Sequence, residues 1–248
     1  ATNPSLHLSP MLIFVLVSLA SMVLADDPAA SWLAYAQSKG ETNTNASVVT
    51  KVTAKWTVPS SPSSPFGSNA PGFWFGIEPQ PADALIQPIL AYGDMGADFT
   101  LFNGYFFWPD QSWWQSSSID VSPGDAVSGG VELLANQSYN MWVQADATGQ
   151  RITSNIPIAG DRIYTNVFFV LEHQPELCAA YPSNNEVVFT DIVVERAGKV
   201  VADPKWIPAT FKPACSSNTT IVSPTSVKFT WDSSWTKEDR LAVADGRV

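Results

Sequence analysis

Residues 72–92 read GFWFGIEPQPADALIQPILAY, and this stretch decides the fold. Gly72 to Ile77 is a short aromatic run. Ala84 to Tyr92 is a second apolar run, interrupted at Pro88. Both are short and rich in the aromatic and branched residues that fit a pleated surface, so each reads as a β-strand. The same signature recurs along the chain. Val48–Val58 alternates and is β-branched, and the proline-rich loop 59–65 follows it. Tyr105–Trp108 precedes Pro109, and Ile119–Val121 leads into the turn Ser122-Pro-Gly-Asp125. Ala126–Leu134, Ser138–Ala145, Thr165–Leu171, Val187–Glu195 and Val227–Trp231 complete the set. Turn residues punctuate the chain at short intervals, and no segment sustains a long helical period. Many short strands without an internal repeat predict an all-β, two-sheet antiparallel sandwich. Asp26–Lys39 reads as a short helical or extended arm, and the tail after Trp235 as prone to fray.

Composition agrees. The 248 residues include 10 Trp and 19 Pro but only 15% charged residues, a balance that suits a packed, turn-rich β domain. The 13 Lys and Arg against 23 Asp and Glu give a net charge of -10. With no basic patch to neutralise phosphates, nucleic acid is not expected as a partner. The charge is also uneven. From Trp56 to Gln150 there is no Lys or Arg, while Glu78, Asp83, Asp94, Asp98, Asp110, Asp120, Asp125, Glu132 and Asp146 fall in that stretch. A solvated acidic surface, adaptation to acid surroundings and a preference for cationic substrates all fit this pattern.

Met11–Leu24 is an apolar run too short to span a bilayer comfortably but suited to the core of a signal peptide. Small residues precede a cut at Ala25/Asp26. The expected organisation is therefore a signal peptide over 1–25 and one domain over 26–248, secreted and free of the membrane after cleavage. Asn45, Asn136 and Asn218 each begin a glycosylation sequon. Cys178 and Cys215 are the only cysteines, and an even pair in a secreted chain is expected to form a disulfide.

Chemistry is narrowed by elimination. His7 falls in the leader, so His173 is the single histidine of the mature chain, and no G-x-S-x-G accompanies it. There is no phosphate-binding or dinucleotide fingerprint, and no cofactor or metal is expected. What remains is a carboxylate working as acid and base in a groove lined by Trp and Tyr. Glu78, Gln87 and Glu172 each stand as a polar residue at the end or middle of an apolar strand.

A run of motifs in order sharpens this. Trp56-Thr-Val-Pro59, Trp74-Phe-Gly-Ile-Glu78, Leu85-Ile-Gln87, Phe106-Phe-Trp-Pro109, Ser122-Pro-Gly-Asp125, Thr165-Asn-Val-Phe-Phe-Val-Leu-Glu172 and Val188-Phe-Thr-Asp191 resemble the glutamic peptidase (eqolisin) family in order and approximate spacing. The resemblance runs from about Trp32 to Val194. It implies a concanavalin A-like sandwich of jelly-roll type. It also implies a secreted acid endopeptidase, expected as a monomer acting on polypeptides, with Gln87 and Glu172 as a catalytic dyad on the concave face. Trp74, Glu78, Phe106 and Trp108 fall at positions that line the substrate. Departures from the family pattern are Phe106 in place of an acid, Pro88-Ile89 in place of small residues, Glu78 in place of Asp and Phe168 in place of Glu. Two other readings share the architecture. Glu172 and Glu176 have the E-x-x-x-E spacing of a glucanase pair, although Gln174 and Pro175 break its pattern. A lectin-like sugar-binding protein would use the tryptophans for stacking.

Overall fold

The computed structural model describes residues 31–63, 71–93, 98–172, 178–210 and 214–235. The expected signal peptide, His173 and Glu176 lie outside them. The strands are β1 (Trp32–Ser38), β2 (Val49–Thr57), β3 (Gly72–Pro79), β4 (Ala84–Tyr92), β5 (Phe99–Phe107), β6 (Ser112–Gln115), β7 (Ile119–Val121) and β8 (Ala126–Leu133). They continue with β9 (Ser138–Ala145), β10 (Gln150–Pro157), β11 (Tyr164–Glu172), β12 (Glu186–Arg196), β13 (Lys199–Val200), β14 (Ile207–Thr210), β15 (Asn218–Ser223) and β16 (Ser226–Thr230). One sheet runs β14-β1-β11-β3-β4-β5-β6, with β7 also on β5. The other runs β10-β9-β8-β2-β12-β16-β15, with β13 on β12. All the pairings within the two sheets are antiparallel.

Alternation along each strand builds the layers, because neighbouring side chains point to opposite faces. In β3, Phe73, Phe75 and Ile77 enter the core between the sheets, while Trp74 belongs to a separate cluster on the outer face. In β11, Val167, Phe169 and Leu171 point inward and Phe168 and Val170 outward. Phe75 stacks on Phe169 with ring centroids 5.2 Å apart, and Phe189 of the facing sheet meets Phe169 edge-on at 5.0 Å. Asn103 is the polar tie across the layers. Fully buried, it donates from Nδ2 to Ser154 Oγ at 2.9 Å and Met141 O at 3.3 Å. At one end, Arg196 gathers Thr165 O (2.6 Å), Ser47 O (3.0 Å) and Ser38 O (3.1 Å), fastening strands of both sheets. Burial lowers the pKa of its guanidinium from the usual value.

Several strands differ from the sequence reading. The segment read as an arm is β1, paired between β11 and β14 inside the first sheet. β5 begins at Phe99 rather than Tyr105. β10 and β15 are edge strands whose exposed, polar residues carry little apolar alternation. Pro88 sits inside a central strand, where it removes a ladder donor. The β3–β4 pairing accordingly runs from Gly72 to Trp74 and resumes only at Ile77.

Cys178 and Cys215 are bonded, with Cα atoms 5.5 Å apart and a sequence separation of 37. On the chain-entropy model such a loop contributes roughly 3–4 kcal/mol. Replacing both cysteines by Ala should lower the free energy of unfolding by about that amount in a denaturant titration. An unchanged midpoint would show that the crosslink does not restrain the unfolded chain.

Candidate active site

The outer face of the first sheet is walled by aromatic side chains. Trp32 meets Trp74 edge-on at 5.2 Å and Phe168 at 5.0 Å, and Ile89 and Val170 pack beside them. Glu172 ends β11 at this wall, across from Trp32 on β1 and Gly72 on β3. Ser31 Oγ donates to Glu172 Oε1. Trp74 Nε1 donates to Oε2 at 2.5 Å. Both carboxylate oxygens are thus held, by a donor just before β1 and one within β3, which fixes the group's direction.

Gln87 lies on the same face, between Leu85 and Ile89 of its own strand. It is 5% exposed, and its Oε1 has no hydrogen-bond partner among the described residues. Across from it stand two glycines, Gly104 of β5 and Gly76 of β3. A Cβ on Gly76 would come within 2.4 Å of Ile86 O, and one on Gly104 within 2.4 Å of the Trp113 ring. Gly76 is therefore demanded by close approach of backbone, whereas at Gly104 the nearest atoms are side-chain ends, Trp113 being half-exposed. Gly76→Ala should cost about 1–3 kcal/mol through overpacking, because a backbone carbonyl must move. A thermal melt indistinguishable from the parent would contradict that reading.

Register sets the relation between these groups. Phe168, Gly76 and Gln87 occupy one cross-strand row, Val170, Trp74 and Ile89 the next, and Glu172, Gly72 and Ala91 the one beyond. Rows on one face are about 7 Å apart. Gln87 and Glu172 therefore share a face with the Trp74 row between them, and no direct hydrogen bond joins them.

The other expected site residues divide. Trp74 touches Glu172 directly. Phe106 and Trp108 pack edge-on at 4.5 Å beside Leu85, toward the β6 end of the sheet, where Phe106 pairs with Trp113. Glu78 is 2% exposed and lies across from Asn166 of β11. It lines a groove of 840 Å³ with Trp32, Tyr35, Gln37, Asn166 and Phe168. The adjoining β3–β4 turn is pinned by Asp83, which takes bonds from Arg162 Nε (2.8 Å) and Nη2 (2.6 Å). Bonding to Asp83 raises the guanidinium pKa further. Sequence reasoning missed Ser31 and Tyr35. Both lie in the segment read as an arm, and only pairing of β1 with β11 brings them to the face. Asn45, Asn136 and Asn218 are all exposed.

An antiparallel sandwich presenting one doubly held carboxylate on an aromatic-walled face is a scaffold for carboxylate acid–base chemistry. The Peptidase A4 family model matches residues 37–231, and the chain belongs to that family. Aspergillopepsin-2 of Aspergillus niger is 24% identical over 180 residues, covering 61% of this chain and 62% of that protein. The chain thus aligns with less than two thirds of that relative's length. Among solved structures, scytalido-glutamic peptidase with a transition state analog inhibitor superposes with a TM-score of 0.60 at 20% identity, covering 82% of this chain and 98% of that one. SCP-B, an eqolisin-family peptidase in complex with the tripeptide Ala-Ile-His, gives 0.52 at 20% identity over the same shares. Aspergilloglutamic peptidase from Aspergillus niger gives 0.50 at 21% identity, covering 65% and 98%. These likenesses establish a shared sandwich fold.

Proposed function

We propose that this protein is a secreted acid endopeptidase in which Glu172 is the general base and Gln87 the donor to the oxyanion. The observation that carries the reading is the Glu172 carboxylate, held at both oxygens by Ser31 and Trp74 on the aromatic wall. A polypeptide laid across this face presents its scissile carbonyl over Trp74. Glu172 takes a proton from a water molecule as that water's oxygen bonds to the carbonyl carbon. The carbonyl oxygen becomes an oxyanion, and the Gln87 Nε2–H donates to it. Glu172 then returns its proton to the amide nitrogen as the C–N bond breaks, releasing a carboxylic acid and an amine. Water is consumed and the carboxylate is restored. Family membership supports a peptidase, and the Met11–Leu24 run together with the Cys178–Cys215 bond supports an exported chain.

The test is digestion of denatured casein across pH 2–8 in the presence of pepstatin. Cleavage is expected in acid and insensitive to the inhibitor, as membership of the Peptidase A4 family leads one to expect. Full activity at pH 8, or no cleavage at any pH, would remove the reading.

A further inference from the structure

Strict alternation back along β1 from Ala34, which lies in the core, would send Trp32 into the core as well. The strand instead carries one extra residue. Trp32 pairs with Glu172 and Ala34 with Leu171, so Leu33 is left over, and Leu33 and Ala34 both enter the core. Such a bulge re-aims the side chains ahead of it. It returns Trp32 to the outer face and brings the Ser31 hydroxyl onto Glu172 Oε1. We infer that Ser31 is a positioning residue for Glu172, aimed by this bulge and able to hold the group both as carboxylate and as acid. The inference rests on the peptidase reading and adds to it a residue that acts through Glu172.

The two donors that hold the carboxylate differ in kind. An indole N–H can only donate, so Trp74 serves Oε2 while that oxygen accepts. A hydroxyl both donates and accepts. Ser31 donates to Oε1 when Glu172 is ionised. When Oε1 carries a proton, the hydroxyl turns about its Cβ–Oγ bond and accepts from it. The plane of the carboxyl is thereby kept in both states, from the taking of a proton from water to its return to the amide nitrogen. A donor-only or apolar residue at this position would hold one state or neither.

The surroundings leave this task to Ser31. The cross-strand neighbours of Glu172 are Trp32 on β1 and Gly72 on β3, with Ala91 of β4 beyond Gly72, and none of them ionises. Ser31 is half-buried, stands ahead of the sheet and belongs to neither apolar cluster, so its truncation bears on Glu172 rather than on packing. A hydrogen bond donated to a charged group is stronger than one accepted from a neutral acid, so loss of the hydroxyl disfavours the ionised form. The ionised form is the base, and the acid side of the pH profile marks where it is lost. That side should move to higher pH when the hydroxyl is removed.

Ser31→Ala should lower kcat on casein by roughly 10- to 100-fold, the scale of a hydrogen bond to a charged group, with KM little changed. The acid side of its pH profile should lie at higher pH, and its melting temperature should stay near that of the parent. Ser31→Thr keeps a hydroxyl and should recover most of the rate together with the parental profile. A purely structural role would instead lower the melting temperature and leave the profile in place, and that result would overturn the inference. A readout that needs no turnover is NMR of protein carrying isotope-labelled glutamate carboxyl carbons, with the Glu172 signal identified by its absence from Glu172→Gln. Titration of that signal should move to higher pH in Ser31→Ala and not in Ser31→Thr. If wild type cleaves nothing yet the titration moves in this way, the hold of Ser31 on Glu172 stands and the peptidase reading falls. If casein is cleaved and Ser31→Ala keeps the parental kcat and profile, Ser31 has no such role and the peptidase reading is untouched. No cleavage and an unmoved titration would remove both.

Discussion

Glu172→Gln is expected to reduce turnover by about 10⁴-fold, the upper end of what a positioned acid–base group contributes. The substitution is nearly isosteric. The amide oxygen can still accept from Ser31 or Trp74, which now donate to the carboxylate. The wall of Trp32, Trp74 and Phe168 should therefore stay packed and the melting temperature close to that of the parent. What is lost is a group that takes a proton from water and returns it to the leaving amine. The measurement is kcat on casein or a defined peptide, with circular dichroism as the check on folding. Glu176→Gln is the companion variant. A peptidase should tolerate it, whereas a glucanase that used both carboxylates would lose activity in each variant. Normal turnover in Glu172→Gln would end the assignment of the base.

Gln87→Ala is the second large effect. Removal of one oxyanion donor costs on the order of 10²–10³-fold in kcat. KM should change little, because the donor strengthens its contact only as negative charge develops on the carbonyl oxygen. The geometry makes this a demanding test. Gln87 is buried between two glycines, and the Trp74 row lies between it and Glu172. The rows of Gln87 and Glu172 stand about 14 Å apart along the strands, so for both groups to act on one carbonyl their side chains must converge over Trp74. Gln87→Met keeps much of the volume but removes the amide donor, and it should be as slow as the alanine variant. If both variants retain kcat within a factor of about three, the oxyanion is stabilised by other donors. Gln87 would then serve as a filler of the floor.

Much of this molecule is legible in its sequence, and the reasons are local. Alternation in residues 48–58, 138–145 and 187–195, together with the turn at Ser122–Asp125, predicts strands that the fold contains at nearly the same limits. Two cysteines in a chain with an export-like leader predict their bond. The ordered motifs from Trp56 to Asp191 identify the family, because each motif reflects a local demand. Gly76 is one such demand, as a strand carbonyl passes within 2.4 Å of where its Cβ would stand. Side-chain parity places Gln87 and Glu172 opposite to Ile86 and Leu171, which are in the core between the sheets.

Other features depend on pairing between distant segments, and no local pattern carries that information. β1 is too short and too uniformly buried to declare itself, so its place beside β11 appears only in three dimensions. That pairing brings Ser31 to Glu172 across 141 residues and makes Tyr35 a wall of the groove. The edge strands β10 and β15 are polar because one side of each faces water, and the sheet's ladder, rather than apolar alternation, makes them strands. The spacing of Gln87 and Glu172 in the chain says nothing of the Trp74 row between them, since strand register is set by long-range hydrogen bonds and side-chain packing. Sequence by itself determined the all-β class, the apolar strands, the disulfide partners and the candidate chemical groups, because these follow from residue type and local period. Tertiary structure alone decided which groups meet, because cross-strand neighbours are chosen by register.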